Sequence, residues 1–148
     1  YQVLTDIFDV HDYENQPESF AAHYTHITDG IIEDTIYRDA QKRHRQQYDG
    51  KAPTFVSEYG GLAWGENHEN AWGYGETAKN EDEFIKRYEG LTSALLDNQY
   101  MLGFCYTQLY DVEQEINGLM TYERKFKFDP DIFKKINSRK AAIELLDE

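Results

Sequence analysis

The chain has 148 residues, a formal net charge of −13, and 12 Tyr, 8 Phe and 2 Trp. That length allows one modest domain with a real hydrophobic core. The acidic balance argues against nucleic acid and anionic membrane surfaces as partners, because both need a basic patch on the protein.

The aromatic residues and the single cysteine bear on ligand and compartment. Tyr and Trp combine an apolar face with a polar group, which suits sugars, although packing alone also explains them. Cys105 excludes an internal disulfide framework and is compatible with a cytoplasmic or an exported protein. Tyr1 runs straight into strand-like sequence, which indicates a boundary inside a longer protein.

The first third of the chain predicts a strand followed by helical segments. Residues 2–10 are rich in β-formers and predict a largely buried strand, with His11, Asp12 and Tyr13 after its C-terminal end. Pro17 can start a short helix to about His26. Residues 31–48 predict a helix or helical loop whose basic cluster is a solvated face: Arg38, Lys42, Arg43, His44 and Arg45.

The middle of the chain predicts a second strand, a long loop and a helix. Residues 53–58 form a compact strand pattern that Gly60 and Gly61 end, and an aperiodic loop extends from 62 to 79. Asn80 is a predicted N-cap, with Glu83 completing a capping box. Four apolar positions then share one helix face: Phe84, Tyr88, Leu91 and Leu95.

The last third repeats the pattern of strand and helix. Residues 101–107 predict a buried strand that makes Cys105 an inert, buried thiol, and Asn117-Gly118 is a turn signal. Asp129-Pro130 starts a last helix with Ile132, Phe133 and Ile136 facing inward. The alternation predicts an α/β fold of parallel βα units, whose active sites form at the carboxyl ends of the strands.

Glu58 is the leading candidate for chemistry. It ends a predicted buried strand, and a carboxylate there is costly unless it is hydrogen-bonded or used. Gly60 and Gly61 would let a ligand approach the backbone. Retaining glycoside hydrolysis needs two carboxylates about 5 Å apart, and Glu58 could be one of them. A structural Glu paired with Arg or capping a helix fits the position equally well.

Three motifs together resemble glycoside hydrolase family 2, which contains β-galactosidases and β-glucuronidases. Residues 53–61, Pro-Thr-Phe-Val-Ser-Glu-Tyr-Gly-Gly, are similar to its nucleophile strand. Residues 103–125 are similar to its last barrel strand and the following loop, and Trp72-Gly-Tyr-Gly75 to its seventh βα loop. The resemblance covers nearly the whole chain and implies strands six to eight of a (β/α)8 barrel, with 1–148 as one partial catalytic domain.

The resemblance implies roles for several residues. Glu58 matches the nucleophile that forms the covalent glycosyl-enzyme. Tyr106 stands where many members place a Trp that lines the sugar subsite. Many members also have a Tyr at the end of strand six that hydrogen-bonds the nucleophile, and His11, Asp12 and Tyr13 are all candidates for that position.

The resemblance also bears on what is missing and on the substrate. The family's acid/base is a Glu on strand four, which these residues do not include, so the chain alone is expected to be inactive. Glucuronidases of the family hold the uronate with Asn-x-Lys where this chain has Glu115-Ile116-Asn117. A Glu there would repel a uronate, which favours a neutral sugar, with a β-galactoside first.

The remaining candidates each have a structural alternative. Trp64, Trp72 and Tyr74 either stack on sugars or pin the long loop to the rim. His23 and His26 are best interpreted as a surface pair. Asp111, Glu113 and Glu115 could bind Mg²⁺, which occurs in the family, but an acidic loop is usually solvated, and no cofactor or metal is predicted.

Two functions therefore compete. The first is the nucleophile-bearing part of a β-glycosidase with a carbohydrate substrate. The second is a non-catalytic carbohydrate-binding or assembly module derived from such a barrel. A partial barrel exposes strand edges, so it could also form homo-oligomers.

Overall fold

The computed structural model describes residues 5–25, 27, 51–65 and 72–146. Within them three strands alternate with three helices, as the sequence predicts. The elements are β1 (Phe8–Asp12), α1 (Pro17–Tyr24), β2 (Thr54–Gly60), α2 (Glu81–Leu96), β3 (Met101–Thr107) and α3 (Pro130–Asn137), followed by a 3-10 helix (Ala142–Leu145). The predicted helix at 31–48, its basic cluster and His26 lie outside the described residues.

The strands form one parallel sheet in the order β1-β2-β3, so consecutive strands are neighbours. Val10 aligns with Val56, and Val56 with Phe104. Between Val56 and Tyr59, β2 carries one residue more than either neighbour, because His11 already aligns with Glu58 and Tyr106 with Tyr59. This irregularity is a β-bulge in the central strand.

The helices begin where the sequence predicts. Pro17 occupies the first turn of α1, where its missing N–H costs nothing. The Asn80 side chain caps α2 by accepting from the Glu83 amide at 2.9 Å. The predicted capping box differs, because the Glu83 carboxylate accepts from the Lys79 amide, one residue earlier. Asp129 caps α3 by accepting from the Asp131 amide.

The core lies between the helices and one face of the sheet. Its members include all four predicted α2 residues, Phe84, Tyr88, Leu91 and Leu95, together with Phe20, Tyr24, Phe133 and Ile136. The sheet contributes Phe8, Val10, Val56, Tyr59 and Met101. Ile132 packs against this cluster while partly buried.

Two predictions about the strands are wrong. Residues 5–7 are not part of β1, which extends from Phe8 to Asp12, so His11 and Asp12 are strand residues; the predicted strand positions 2–4 lie outside the described residues. β3 is not buried on both faces, because Leu102 is 50% exposed and Cys105 is an exposed thiol. The helices cover only one face of the sheet among the described residues.

The loop after β3 is tightly bonded. The predicted turn at Asn117-Gly118 is wrong, because the loop turns at Glu113-Gln114 instead. The Asn117 side chain is fully buried and accepts from Gln108 Nε2 at 2.7 Å. A Cβ on Gly118 would lie 2.3 Å from the Tyr110 backbone, so glycine is needed for close packing. No helix in the described part of the chain is long and apolar enough to cross a membrane.

Candidate functional site

The bulge in β2 positions Glu58. Its extra residue leaves the Ser57 amide outside the regular ladder, and the Asp9 carboxylate accepts from that amide at 3.2 Å. Bulges next to active sites commonly re-aim a side chain. Because Tyr59 lies in the core, Glu58 projects to the face of the sheet opposite the helices. We call this the open face and define it by His11, Glu58 and Cys105.

Two side chains contact the Glu58 carboxylate. The Tyr13 hydroxyl donates a short hydrogen bond to Glu58 Oε2. His11 Nδ1 lies 3.2 Å from the same oxygen, and the side chains of His11 and Glu58 remain 47% and 40% exposed. Burial and the hydrogen bond to Glu58 raise the pKa of the Tyr13 hydroxyl well above its usual range, so Tyr13 stays protonated and donates.

Asp12, the third candidate at the end of β1, projects the other way. It follows His11 in the strand and therefore faces the helices. Its Oδ2 accepts from Tyr24 Oη at 2.8 Å and contacts His23 Nδ1 at 2.7 Å, while Oδ1 accepts from the Glu14 amide. The hydrogen bond to Asp12 raises the pKa of His23. Asp12 thus anchors α1 to β1, whereas Tyr13 and His11 reach Glu58.

The glycine pair after Glu58 makes room for tyrosines of the protein. A Cβ on Gly60 would lie 2.2 Å from the Tyr106 ring, and one on Gly61 would lie 2.4 Å from Tyr74 and 2.9 Å from Tyr13. Both glycines have positive φ, at 89° and 60°. The predicted approach of a ligand to this backbone is therefore replaced by packing of aromatic rings.

Tyr106, the predicted sugar-lining residue, faces the helix side of the sheet. Its ring centroid lies 4.8 Å from that of Tyr88 and 5.5 Å from that of Tyr59. Its hydroxyl donates to the Asn117 carbonyl at 3.4 Å. Burial raises the pKa of this hydroxyl well above its ordinary value. The structure thus places Tyr106 in the core and not on the open face with Glu58.

The two tryptophans of the long loop have different surroundings. Trp64 packs against the stacked pair of Phe84 and Phe128, with ring centroids 6.2 and 5.6 Å away, and so pins the loop to the core. Trp72 is 48% exposed and meets Tyr74 edge-on at 5.7 Å. Tyr74 in turn stacks on Tyr13 with centroids 3.6 Å apart and planes at 9°. Trp72 and Tyr74 are therefore connected through ring contacts to Tyr13 and the Glu58 site, whereas Trp64 contacts other rings.

A buried ion pair that the sequence did not predict holds together the loop after β2 and the loop after β3. Lys127 Nζ donates to Asp111 Oδ1 at 2.7 Å and to the carbonyls of Trp64 and Ile116 at 2.8 and 3.0 Å. Burial lowers the pKa of Lys127, although Asp111 opposes that shift. Asp111 was predicted to lie on a solvated acidic loop, but it is 8% exposed. Because this contact links positions 16 residues apart, no local pattern indicates it.

The described residues contain no group of three or more His, Cys, Asp or Glu side chains placed to hold a metal ion. Asp111 is committed to Lys127 and to the Gly118 amide. Glu115 Oε1 accepts from the Asn117 side chain at 3.0 Å.

Comparisons with known proteins give a distant structural likeness. No protein-family model matches the chain, and no curated protein matches it. A solved structure of Bifidobacterium dentium β-glucuronidase complexed with coumarin-3-O-glucuronide is similar at a TM-score of 0.44 and 17% sequence identity. The match covers 61% of this chain and 16% of that one. A likeness at this level assigns no activity to the chain, so function has to follow from the chemistry of the site.

Proposed function

We propose that this chain is the nucleophile-bearing part of a retaining β-glycosidase related to glycoside hydrolase family 2. Its three strands would be strands six to eight of a (β/α)8 barrel. Residues 1–148 would form one partial catalytic domain. The substrate would be a neutral β-glycoside, and a β-galactoside is the preferred candidate. The proposal combines the sequence resemblance with the geometry around Glu58.

The observation that carries the proposal is the position of Glu58. A bulge in the central strand turns its carboxylate onto the open face, where the Tyr13 hydroxyl donates to Oε2. The hydrogen bond at Oε2 fixes the orientation of the carboxylate, and the Glu58 side chain stays 40% exposed. A fixed orientation and partial exposure are what a nucleophilic carboxylate needs to reach its substrate.

The chemistry would be double displacement. Glu58 attacks the anomeric carbon while the glycosidic C–O bond breaks, and a second carboxylic acid gives its proton to the leaving oxygen. Water, deprotonated by that second carboxylate, then releases the sugar and restores Glu58. The second carboxylate would come from outside these residues, about 5 Å from Glu58.

The preference for a neutral sugar is supported by Glu115. This residue stands where glucuronidases of the family have the Asn of their uronate-binding motif, and its carboxylate would repel a uronate. Asn117, in the place of the motif's Lys, is fully buried and bonded to Gln108 and Glu115. These positions therefore offer no cation to a sugar carboxylate.

A non-catalytic module remains the second candidate, and one observation favours it. Tyr106 packs against the core and not beside Glu58, so it does not form the aromatic wall predicted for the sugar subsite. A module of this kind could bind carbohydrate or assemble through its strand edges without turnover.

The experiment compares this chain with the full natural polypeptide that contains it, on aryl β-galactoside, β-glucuronide and β-mannoside. Glu58→Gln should abolish turnover by the full polypeptide, while Glu89→Gln, an exposed carboxylate on α2, leaves it unchanged. Turnover that survives Glu58→Gln would overturn the proposal. Sugar binding without any turnover would establish the non-catalytic module instead.

A further inference from the structure

We propose that Trp72, supported by Tyr74, is the platform on which the leaving group of the substrate stacks. The ligand would be a neutral pyranose or aryl ring attached through the bond that Glu58 breaks. This inference rests on the proposed function and extends it from the sugar that is transferred to the group that departs.

The backbone of Trp72 is held on both sides. Its amide donates to the Gln114 carbonyl at 2.8 Å, and its carbonyl accepts from the Ile116 amide at 2.9 Å. Trp72 thereby forms a bridge with Glu115 in the loop after β3. A half-exposed indole on a fixed backbone offers a large apolar surface at a small entropic cost of binding.

The platform is continuous with the Glu58 site. Tyr74 stacks on Tyr13, whose hydroxyl donates to Glu58, and Trp72 meets Tyr74 edge-on. The Tyr74 amide donates to the Gly61 carbonyl at 2.8 Å, so the ring is tied to the residue that follows β2. Successive contacts from Glu58 to Tyr13, Tyr74 and Trp72 lead away from the reacting carboxylate, as the contacts of a leaving-group subsite must.

Charge beside the platform restricts the ligand. Glu115, the bridge partner of Trp72, carries a half-buried carboxylate that accepts from Asn117. Such an oxygen can accept from sugar hydroxyls and repels an anionic ring. Trp64 is not part of this platform: its partly buried ring packs against Phe84 and Phe128, and it lines a different cavity together with Tyr122 and Lys127.

The test separates the leaving group from the rest of the substrate. The full natural polypeptide is assayed on β-galactosyl fluoride, which has no leaving-group ring, and on the neutral disaccharide 4-O-β-galactosyl-glucose. Trp72→Ala should lower kcat/KM for the disaccharide about fivefold, since aromatic stacking contributes about 1 kcal/mol. It should leave the fluoride unchanged, and Trp72→Phe should restore most of the loss. Tyr122→Ala, another exposed aromatic, serves as the matched control.

A binding measurement covers the case of an inactive protein. The indole N–H resonance of Trp72, assigned with Trp72→Phe, is followed by NMR in the Glu58→Gln variant. It should shift on addition of the disaccharide and not on addition of galactose alone.

The outcomes distinguish the two proposals. Equal losses on both substrates, or no loss on either, overturn the platform while leaving Glu58 as nucleophile. Absence of any Glu58-dependent turnover overturns the proposed function, and the NMR shift then decides the platform alone: a shift specific to the disaccharide supports it, and no shift overturns it.

Discussion

The Tyr13 hydroxyl donates to the Glu58 carboxylate, which joins the connection after β1 to the bulge in β2. Tyr13→Phe keeps the stack on Tyr74 and removes this donor, together with the hydrogen bond between the Tyr13 hydroxyl and the Thr107 side chain. Hydrogen bonds to charged groups contribute about 1.5–3 kcal/mol, so we expect kcat of the full natural polypeptide to fall by about tenfold or more with little change in KM. Steady-state kinetics on an aryl β-galactoside measures this. An unchanged kcat would mean that Tyr13 does not assist Glu58.

Gly61 and Gly65 form a matched pair for the packing beside this hydrogen bond. Both have positive φ, but a Cβ on Gly61 would enter the Tyr74 and Tyr13 rings, whereas one on Gly65 would lie 4.0 Å from Ile116. Gly65→Ala measures a backbone cost alone, about 1–3 kcal/mol, and at a φ of 143° this cost is at least as large as the one at Gly61, whose φ is 60°. We expect Gly61→Ala to reduce the free energy of unfolding further, in urea titrations, and to lower kcat as well. Equal effects of the two variants would show that the tyrosine stack is adaptable.

Local sequence signals account for the elements that carry these residues, but not for the direction of each side chain. The helices and the strand order follow from local signals: Pro17, the Asn80 cap and the spacing of apolar residues in α2. Which face each strand residue occupies depends on where strands end and bulge, and those features are set by neighbouring strands. The predicted strand at 2–10 ended too early, so it could not separate Asp12 from His11 and Tyr13.

The same physical reason explains the error at β3. A continuous apolar run from 101 to 107 is typical of a strand covered on both faces. Among the described residues, helices cover only the face that holds Tyr106, and Cys105 lies on the other. Neither the direction of Tyr106 nor the pairing of Asp111 with Lys127 can be obtained from spacing, because both depend on distant elements.

His23 should make stability depend on pH. Its hydrogen bond to Asp12 raises its pKa in the folded state, so its contribution is fully present below the unfolded value of about 6.5. That contribution is lost as pH rises through the raised folded pKa. His23→Gln should abolish this part of the pH dependence in urea titrations. Tyr24→Phe should lower the free energy of unfolding but leave its pH dependence in place. An identical pH profile for wild type and His23→Gln would contradict the linkage.

The Asp111–Lys127 pair predicts a large stability effect far from Glu58. Both side chains are about nine-tenths buried, so Lys127→Met leaves a buried carboxylate without its cation. We expect a loss of about 3–5 kcal/mol in the free energy of unfolding. Lys125→Met, at an exposed position two residues earlier, should change it by less than about 0.5 kcal/mol. The double variant Asp111→Leu with Lys127→Met should be less destabilised than Lys127→Met alone; a larger loss would show that packing dominates.

Cys105 reports on what covers the open face. As an exposed thiol beside the Glu58 strand, it should react with an aromatic disulfide reagent in the folded 148-residue chain without denaturant, and Cys105→Ser should abolish the signal. Parallel sheets are normally covered on both faces, so the thiol should be protected in the full natural polypeptide if other barrel strands complete the sheet. Equal reactivity in both would count against the partial barrel. If protection of the Cys105 thiol increases with the concentration of the 148-residue chain, a second copy of the chain covers the open face. The edge strands β1 and β3 could pair with such a copy.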